Sequence, residues 1–268
     1  MRGMKFEFLP SGIDRSLALP GTYNPFLVVL SIVAAVMAAY IAFFLLEKLM
    51  LSRDDRRRRL WLISGALAMG AGIWTMHFLG MLAFSLPMGV SYDLAVTLIS
   101  MLPSIAASGI TISFLSRQTG ERLSFWRLNA GGLIMGVGIG TMHYTGMAAM
   151  MMEADMYYDP VLFVLSILVA HIVATIAIFI KLKVTTVTLK VGQRRFTSAL
   201  VMGCAVSGMH YTAMKAAYFF PLTSGKIHAF EQQIPLDPAI LGILVSIGTL
   251  LLMGSALAML WSTEPELA

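Results

Sequence analysis

Charge is what this chain has least of. Only 12% of its 268 residues are Asp, Glu, Lys or Arg, while 58% are hydrophobic. That balance excludes an ordinary soluble domain and places the chain in the membrane class. Cysteine is almost absent: Cys204 stands alone, which excludes an intramolecular disulfide and a multi-cysteine metal site. Its place in the middle of an apolar segment reads as a small packing residue. There is no nucleotide-binding loop, no hydrolase triad and no kinase or cyclase signature, so the chain reads as a non-enzyme. Acidic residues are fewer than basic ones, 14 against 19. The run Arg56–Arg59 reads as a topology signal against anionic lipid, not as a nucleic-acid surface. No small-residue cleavage site follows a short apolar core in residues 1–25, so no signal peptide is expected.

A hydrocarbon core about 30 Å thick needs roughly 20 apolar residues per helix. Seven stretches reach that length, at about 26–46, 60–86, 94–116, 127–151, 160–181, 196–220 and 238–261. They are too long for barrel strands. The expected fold is therefore an all-α integral membrane protein: an extracytoplasmic segment 1–25, a seven-helix domain 26–261 and a short tail 262–268. Basic residues accumulate in cytoplasmic loops. With the N-terminus outside, loops 47–59, 117–127 and 181–195 hold 14 of the 19 Lys and Arg residues. The sequence thus predicts a multi-pass protein of the cytoplasmic membrane with its N-terminus out and C-terminus in.

One sentence is written three times inside this apolar background. Met69-Gly70 leads to Met76-His77-Phe78-Leu79-Gly80-Met81. Met135-Gly136 leads to Met142-His143-Tyr144-Thr145-Gly146-Met147. Met202-Gly203 leads to Met209-His210-Tyr211-Thr212-Ala213-Met214. Such a period is the first thing to look for in a chain. It predicts three parallel helical hairpins (helices two–three, four–five and six–seven) plus an extra N-terminal helix. Glycines at four-residue spacing, as in Gly132-Gly136-Gly140, let helix backbones approach in lipid. The motif helices are expected as an inner ring, with the remaining helices as its wall.

Packing accounts for the glycines but not for His77, His143 and His210. An ionisable group inside a span marks function by default. Each histidine lies about 15–17 residues into its helix, which puts all three roughly 25 Å along, at one depth near the outer face. Met81, Met147 and Met214 follow by four residues and share the histidine's helix face. Met76, Met142 and Met209 sit about 100° around and reach the same centre only by bending. Imidazole with thioether suits copper, above all Cu(I), better than magnesium, calcium or manganese. Tyr144 and Tyr211 stand beside as hydrogen-bond donors or redox-active neighbours. Met69, Met135 and Met202, about 12 Å deeper, read as core packing against glycines, with a second soft site or a relay as the alternatives. Outside the repeat, His171 suggests a helix–helix hydrogen bond, His228 a solvated loop residue, Tyr92-Asp93 an interfacial anchor and Lys215 a snorkelling side chain.

At these residues the chain resembles the bacterial MHYT family over nearly its whole length, including the runs Gly80-Met81-Leu82-Ala83 and Gly146-Met147-Ala148-Ala149. The resemblance implies a membrane sensory module that binds copper, one or two ions, near the periplasmic face and detects oxygen, carbon monoxide or nitric oxide. The ligands it implies here are Met76, His77, Met142, His143, Met209 and His210, with Tyr144 and Tyr211 alongside. Phe78-Leu79 departs from the Tyr-Thr of the motif, which leaves at most two phenols. Relatives of this kind carry cytoplasmic output domains, whereas Ser262–Ala268 is too short for one. A separate cytoplasmic signalling protein is therefore the expected partner, besides lipid and the gas; otherwise the chain is part of something longer. Two other readings stay open: a copper transport or handling protein, and a haem-bearing redox protein with two of the histidines as axial ligands.

Overall fold

The computed structural model describes residues 7–116, 125–183, 191–222 and 234–263. Its helices begin where a short polar side chain can accept the first free N–H groups. Asn24 caps α1 (Pro25–Leu51) by accepting from Phe26 and Leu27, with Pro25 preset for the first helical position. Asp54 caps α2 (Asp55–Ala83) through Arg57 N–H. Asp93 caps α3 (Leu94–Ile99), which continues past a break at Ser100 as α4 (Met101–Ser116). After α5 (Phe125–Met147), Asp159 caps α6 (Pro160–Lys183) by accepting from Val161 and Leu162. Following α7 (Val191–Ala216), Asp237 accepts from Ala239 at the start of α8 (Pro238–Thr263).

The body is all-α, as expected, and four helical segments among the described residues are long and apolar enough to cross a membrane. These are Pro25–Leu51, Asp55–Ala83, Leu94–Ser116 and Pro160–Leu182. Helices α5 and α7 are comparably long, 23 and 26 residues, but are diluted by glycine and by arginine at their starts.

The motif helices end earlier than their hydropathy suggests. Helix was expected through 86, 151 and 220; it stops at Ala83, Met147 and Ala216. Short strands follow: β2 (Phe84–Ser85), β4 (Met150–Met151) and β6 (Ala217–Pro221). Each pairs antiparallel with a strand that enters a neighbouring helix. β2 pairs with β1 (Thr22–Tyr23) and β4 with β3 (Ser91–Asp93), while β6 pairs with β5 (Ala154–Tyr158), in the register Ala154↔Pro221 to Tyr158↔Ala217. A last strand, β7 (Pro235–Leu236), pairs with β3. The N-terminal segment lies over the same end: Phe8 bridges to Tyr158, Leu19 N–H donates to Phe219, and Arg15 pairs with Asp159 at 2.8 Å. A hydropathy window cannot see these strands, because the aromatic and apolar residues that favour pairing also extend an apolar run.

Six helical segments close into a ring in the order α1, α2, α4, α5, α6, α7, and α8 lies outside it against α1 and α2. This corrects the expected arrangement. The supernumerary helix is the last, not the first, and each hairpin runs from a flanking helix into a motif helix: α1–α2, α4–α5, α6–α7. Glycine placement explains the closure. Gly70 of α2 lies against the backbone of Ile105 in α4, Gly136 of α5 against His171 in α6, and Gly203 of α7 against Val36 in α1. Two residues on, Gly72 lies against Ala38 of α1 and Gly138 against Ala107 of α4. Each motif helix thus touches both neighbours through positions without bulk, which is how backbones approach where lipid supplies no hydrophobic push. Gly132, Gly136 and Gly140 all face α6, through Thr175, His171 and Ile167.

Candidate metal centre

The ring brings three helices to one point. His77 on α2, His143 on α5 and His210 on α7 are 0%, 1% and 1% exposed. Their Nδ1 atoms form a triangle with edges of 3.1, 3.2 and 3.2 Å. The rings meet edge to face, with centroids 4.8–5.1 Å apart. The three residues form a cluster able to hold a metal ion, with their ligand atoms within 4.8 Å of one another.

This triangle cannot satisfy itself. A neutral imidazole carries one N–H and one lone pair. With three Nδ1 atoms mutually in contact, any assignment leaves two lone pairs or two hydrogens facing each other. The opposite ends of the rings give no relief, since all three Nε2 atoms are buried without a hydrogen-bond partner. A cation at the centroid accepts all three lone pairs at once. Corners of a triangle this size lie about 1.8 Å from its centre, so an outward shift of a few tenths of an ångström gives a metal–nitrogen distance of about 2.0–2.1 Å. The residues fit a metal of the imidazole-binding class, and His77, His143 and His210 would hold it through Nδ1.

Glycine sets how close the rings come. Gly80, three residues after His77, faces Nε2 of His210, and Gly146, three after His143, faces Nε2 of His77; a Cβ at either position would collide with the ring. The third motif has Ala213 at this place. Its neighbours are equally ordered by repetition. The N–H groups of Asn24, Asp93 and Asp159, which start the flanking helices, donate to the carbonyls of Ala83, Ala149 and Ala216. Each of those alanines lies six residues after a histidine and is fully buried. This lattice escaped sequence reasoning, yet its signal was present: an Asx residue, usually followed by proline, before each flanking helix.

Other expected site residues sort as follows. Met76, Met142, Met209, Met81, Met147 and Met214 are all buried, between 0% and 4% exposed. Tyr144 and Tyr211 stand edge-on beside His143 and His210 at 4.9 and 4.7 Å. Their hydroxyls point away from the triangle, to Ser166 at 2.9 Å and Ser31 at 2.8 Å, on α6 and α1. They tie motif helix to flanking helix; neither is a donor to the histidines. Phe78 packs between Trp74 and Tyr92 instead.

Outside the trio, several readings are corrected. Tyr92 is no interfacial anchor: it is 3% exposed, paired in β3, and burial pushes its phenol well above the usual range. Asp93 caps α3. Cys204 is exposed on α7, not packed. The Nδ1 of His171 is buried with no partner among the described residues; its backbone serves Gly136 instead. His228 lies outside the described residues. Sequence reasoning missed the cluster at the far end of the ring, where Glu47 of α1 bridges Lys181 of α6 and Arg195 of α7. A glutamate within an apolar run was its only sign.

Three buried imidazoles thus meet inside an all-α bundle, four of whose described helices are long and apolar enough to cross a membrane. The family model MHYT, described as "Bacterial signalling protein N terminal repeat", matches residues 1–63, 70–127 and 136–196, and the chain belongs to this family. It is 44% identical over 206 residues, 77% of its length, to the bifunctional diguanylate cyclase/cyclic di-GMP phosphodiesterase MucR of Pseudomonas aeruginosa. It is 36% identical over 200 residues, 74% of its length, to the signaling protein YkoW of Bacillus subtilis. Cyclic di-GMP phosphodiesterase NbdA of Pseudomonas aeruginosa shares 35% over 213 residues, 77% of the chain. The matched regions make up 29%, 24% and 26% of those relatives, so the chain spans well under a third of each. No solved structure matches it.

Proposed function

We propose that this chain is a seven-span sensor module of the bacterial cytoplasmic membrane, with its N-terminus outside. In this reading it holds copper through His77, His143 and His210 near the periplasmic face. It reads oxygen, carbon monoxide, nitric oxide or redox state there and passes the result to a cytoplasmic partner. The observation that carries the reading is the Nδ1 triangle, whose lone pairs converge with no other use. Copper is favoured because thioether residues flank each histidine in sequence, with Met76, Met142, Met209, Met81, Met147 and Met214 buried on the same helices, and because no carboxylate joins the cluster among the described residues. Bound copper would supply a redox-active, ligand-accepting centre. The protein would supply three rings from three separate helices, so any change in their spacing is a change in how α2, α5 and α7 sit together. Only a ligand that distinguishes two such arrangements can shift them. A haem fits less well, since the rings touch one another and leave no slot for a macrocycle.

The output is inferred from the relatives, two of which are named as cyclic di-GMP enzymes. The effector would therefore be an enzyme of that second messenger, meeting the basic end that carries Arg56–Arg59. Replacing His77, His143 and His210 together with alanine should abolish stoichiometric copper in protein purified without chelator or nickel resin, with helical content retained. Copper retained at full stoichiometry would defeat the reading. Copper accumulation in vesicles would instead favour a transporter.

A further inference from the structure

Below the histidines the same three helices converge a second time. Met69, Met135 and Met202 each precede a motif histidine by eight residues, about 12 Å along a helix. They are 4%, 3% and 3% exposed. All three line one cavity of about 30 Å³, room for a single small ion or water. Methionine is the side chain that flexes to fill irregular gaps, and protein interiors close to crystal-like density. A cavity nevertheless remains where these three methionines meet.

A second, independent observation concerns polarity. The hydroxyl of Ser108 on α4 lines this cavity, is fully buried and has no hydrogen-bond partner. Leaving a buried hydroxyl unsatisfied is costly, and a cation in the cavity would use its lone pairs. No carboxylate, imidazole or thiolate lines the space, so hard divalent ions and zinc lack their ligands there, whereas thioethers select Cu(I). We propose that Met69, Met135 and Met202 form a second metal site, a thioether site for a soft monovalent ion of the Cu(I) type, on the bundle axis beneath the histidine triangle. The site does not depend on whether the histidines are occupied, and it gives the module two stacked positions for copper.

The test is a Cu(I) titration of the purified full chain under anaerobic reducing conditions, against a colorimetric Cu(I) chelator. Three proteins are compared: wild type, the triple histidine-to-alanine variant, and M69L/M135L/M202L. Leucine keeps the volume of methionine, a swap that costs little in a core. The expected result is two equivalents for wild type and one for each variant. X-ray absorption of the histidine variant loaded with one Cu(I) should show sulfur neighbours and no imidazole scattering. Cu(I) stoichiometry in M69L/M135L/M202L equal to that of wild type overturns the proposal. Loss of one equivalent from the methionine variant alone, with both retained by the histidine variant, supports this site while defeating the histidine centre. Should the triple leucine variant not fold, Met135→Leu alone must weaken the site at least tenfold; unchanged affinity overturns it.

Discussion

A single methylene decides whether the rings can meet. Gly146 has Nε2 of His77 where a side chain would start, and imidazole nitrogens must sit within about 0.2 Å of their proper distance to bind a metal well. Gly146→Ala should push the His77 ring off the triangle and weaken copper binding on the order of tenfold, a loss of about 1.4 kcal/mol. Gly89→Ala is the matched control, since nothing lies within 4 Å of an added Cβ there; it should change affinity and melting temperature little. Equal copper affinity in the two variants would show that the triangle tolerates displacement. Ala213, which replaces glycine in the third motif, marks the one place where the repeat already departs from this rule.

Among the elements, the flanking helices are held by their first residues. Asp159 accepts hydrogen bonds from Leu162 and Val161 and pairs with Arg15. The backbone bond from Leu162, joined by Val161 and the Arg15 guanidinium, holds its carboxyl below the ordinary carboxylate range against an opposing desolvation. A carboxylate depressed on folding stabilises the fold at every pH above its unfolded value, about 3.9. That contribution is lost as pH falls through the lower, folded value. Melting temperature should therefore drop for wild type between about pH 4 and the folded value, and the drop should be smaller in Asp159→Asn, which starts lower at neutral pH. Identical acid profiles would place the stabilisation elsewhere. The strand pairs at this end act with the caps: Asn24, Asp93 and Asp159 each donate their N–H to the alanine that ends a motif helix or its first turn beyond.

At the scale of the whole molecule, polar groups gather at both ends of the ring. Three imidazoles from α2, α5 and α7 meet at one end; at the other, Glu47 joins α1, α6 and α7 through Lys181 and Arg195. The Lys181 side chain is 3% exposed, and Arg195 also stacks on Phe44 with 4.7 Å to the ring centroid. Removing one partner of a buried ion pair leaves the other charge uncompensated, at about 3–5 kcal/mol. Glu47→Gln should lower stability by roughly that amount, read by thermal unfolding in detergent. Copper stoichiometry should hold, because the histidines lie at the opposite end. Copper lost in a still-folded Glu47→Gln protein would show that the two ends are coupled more tightly than the helices between them suggest.

Much of this was legible without coordinates. Helix positions follow from apolar length, because a backbone in an apolar medium must satisfy its own hydrogen bonds. The threefold repeat, the face of α5 that takes Gly132, Gly136 and Gly140, and the choice of His77, His143 and His210 all follow from spacing along one chain. Spacing does not say which helix of a repeat pairs with which. The sequence alone admits either terminal helix as the odd one, and only the contacts of Gly203 with Val36 and of α8 with α1 and α2 decide it. Position put Tyr144 and Tyr211 beside the histidines, but only Ser166 and Ser31, remote in sequence, show where their hydroxyls find partners. The Nδ1 triangle itself is a tertiary fact. Periodicity sets depth along a helix, but rotation and approach between helices are set by where small residues let backbones touch.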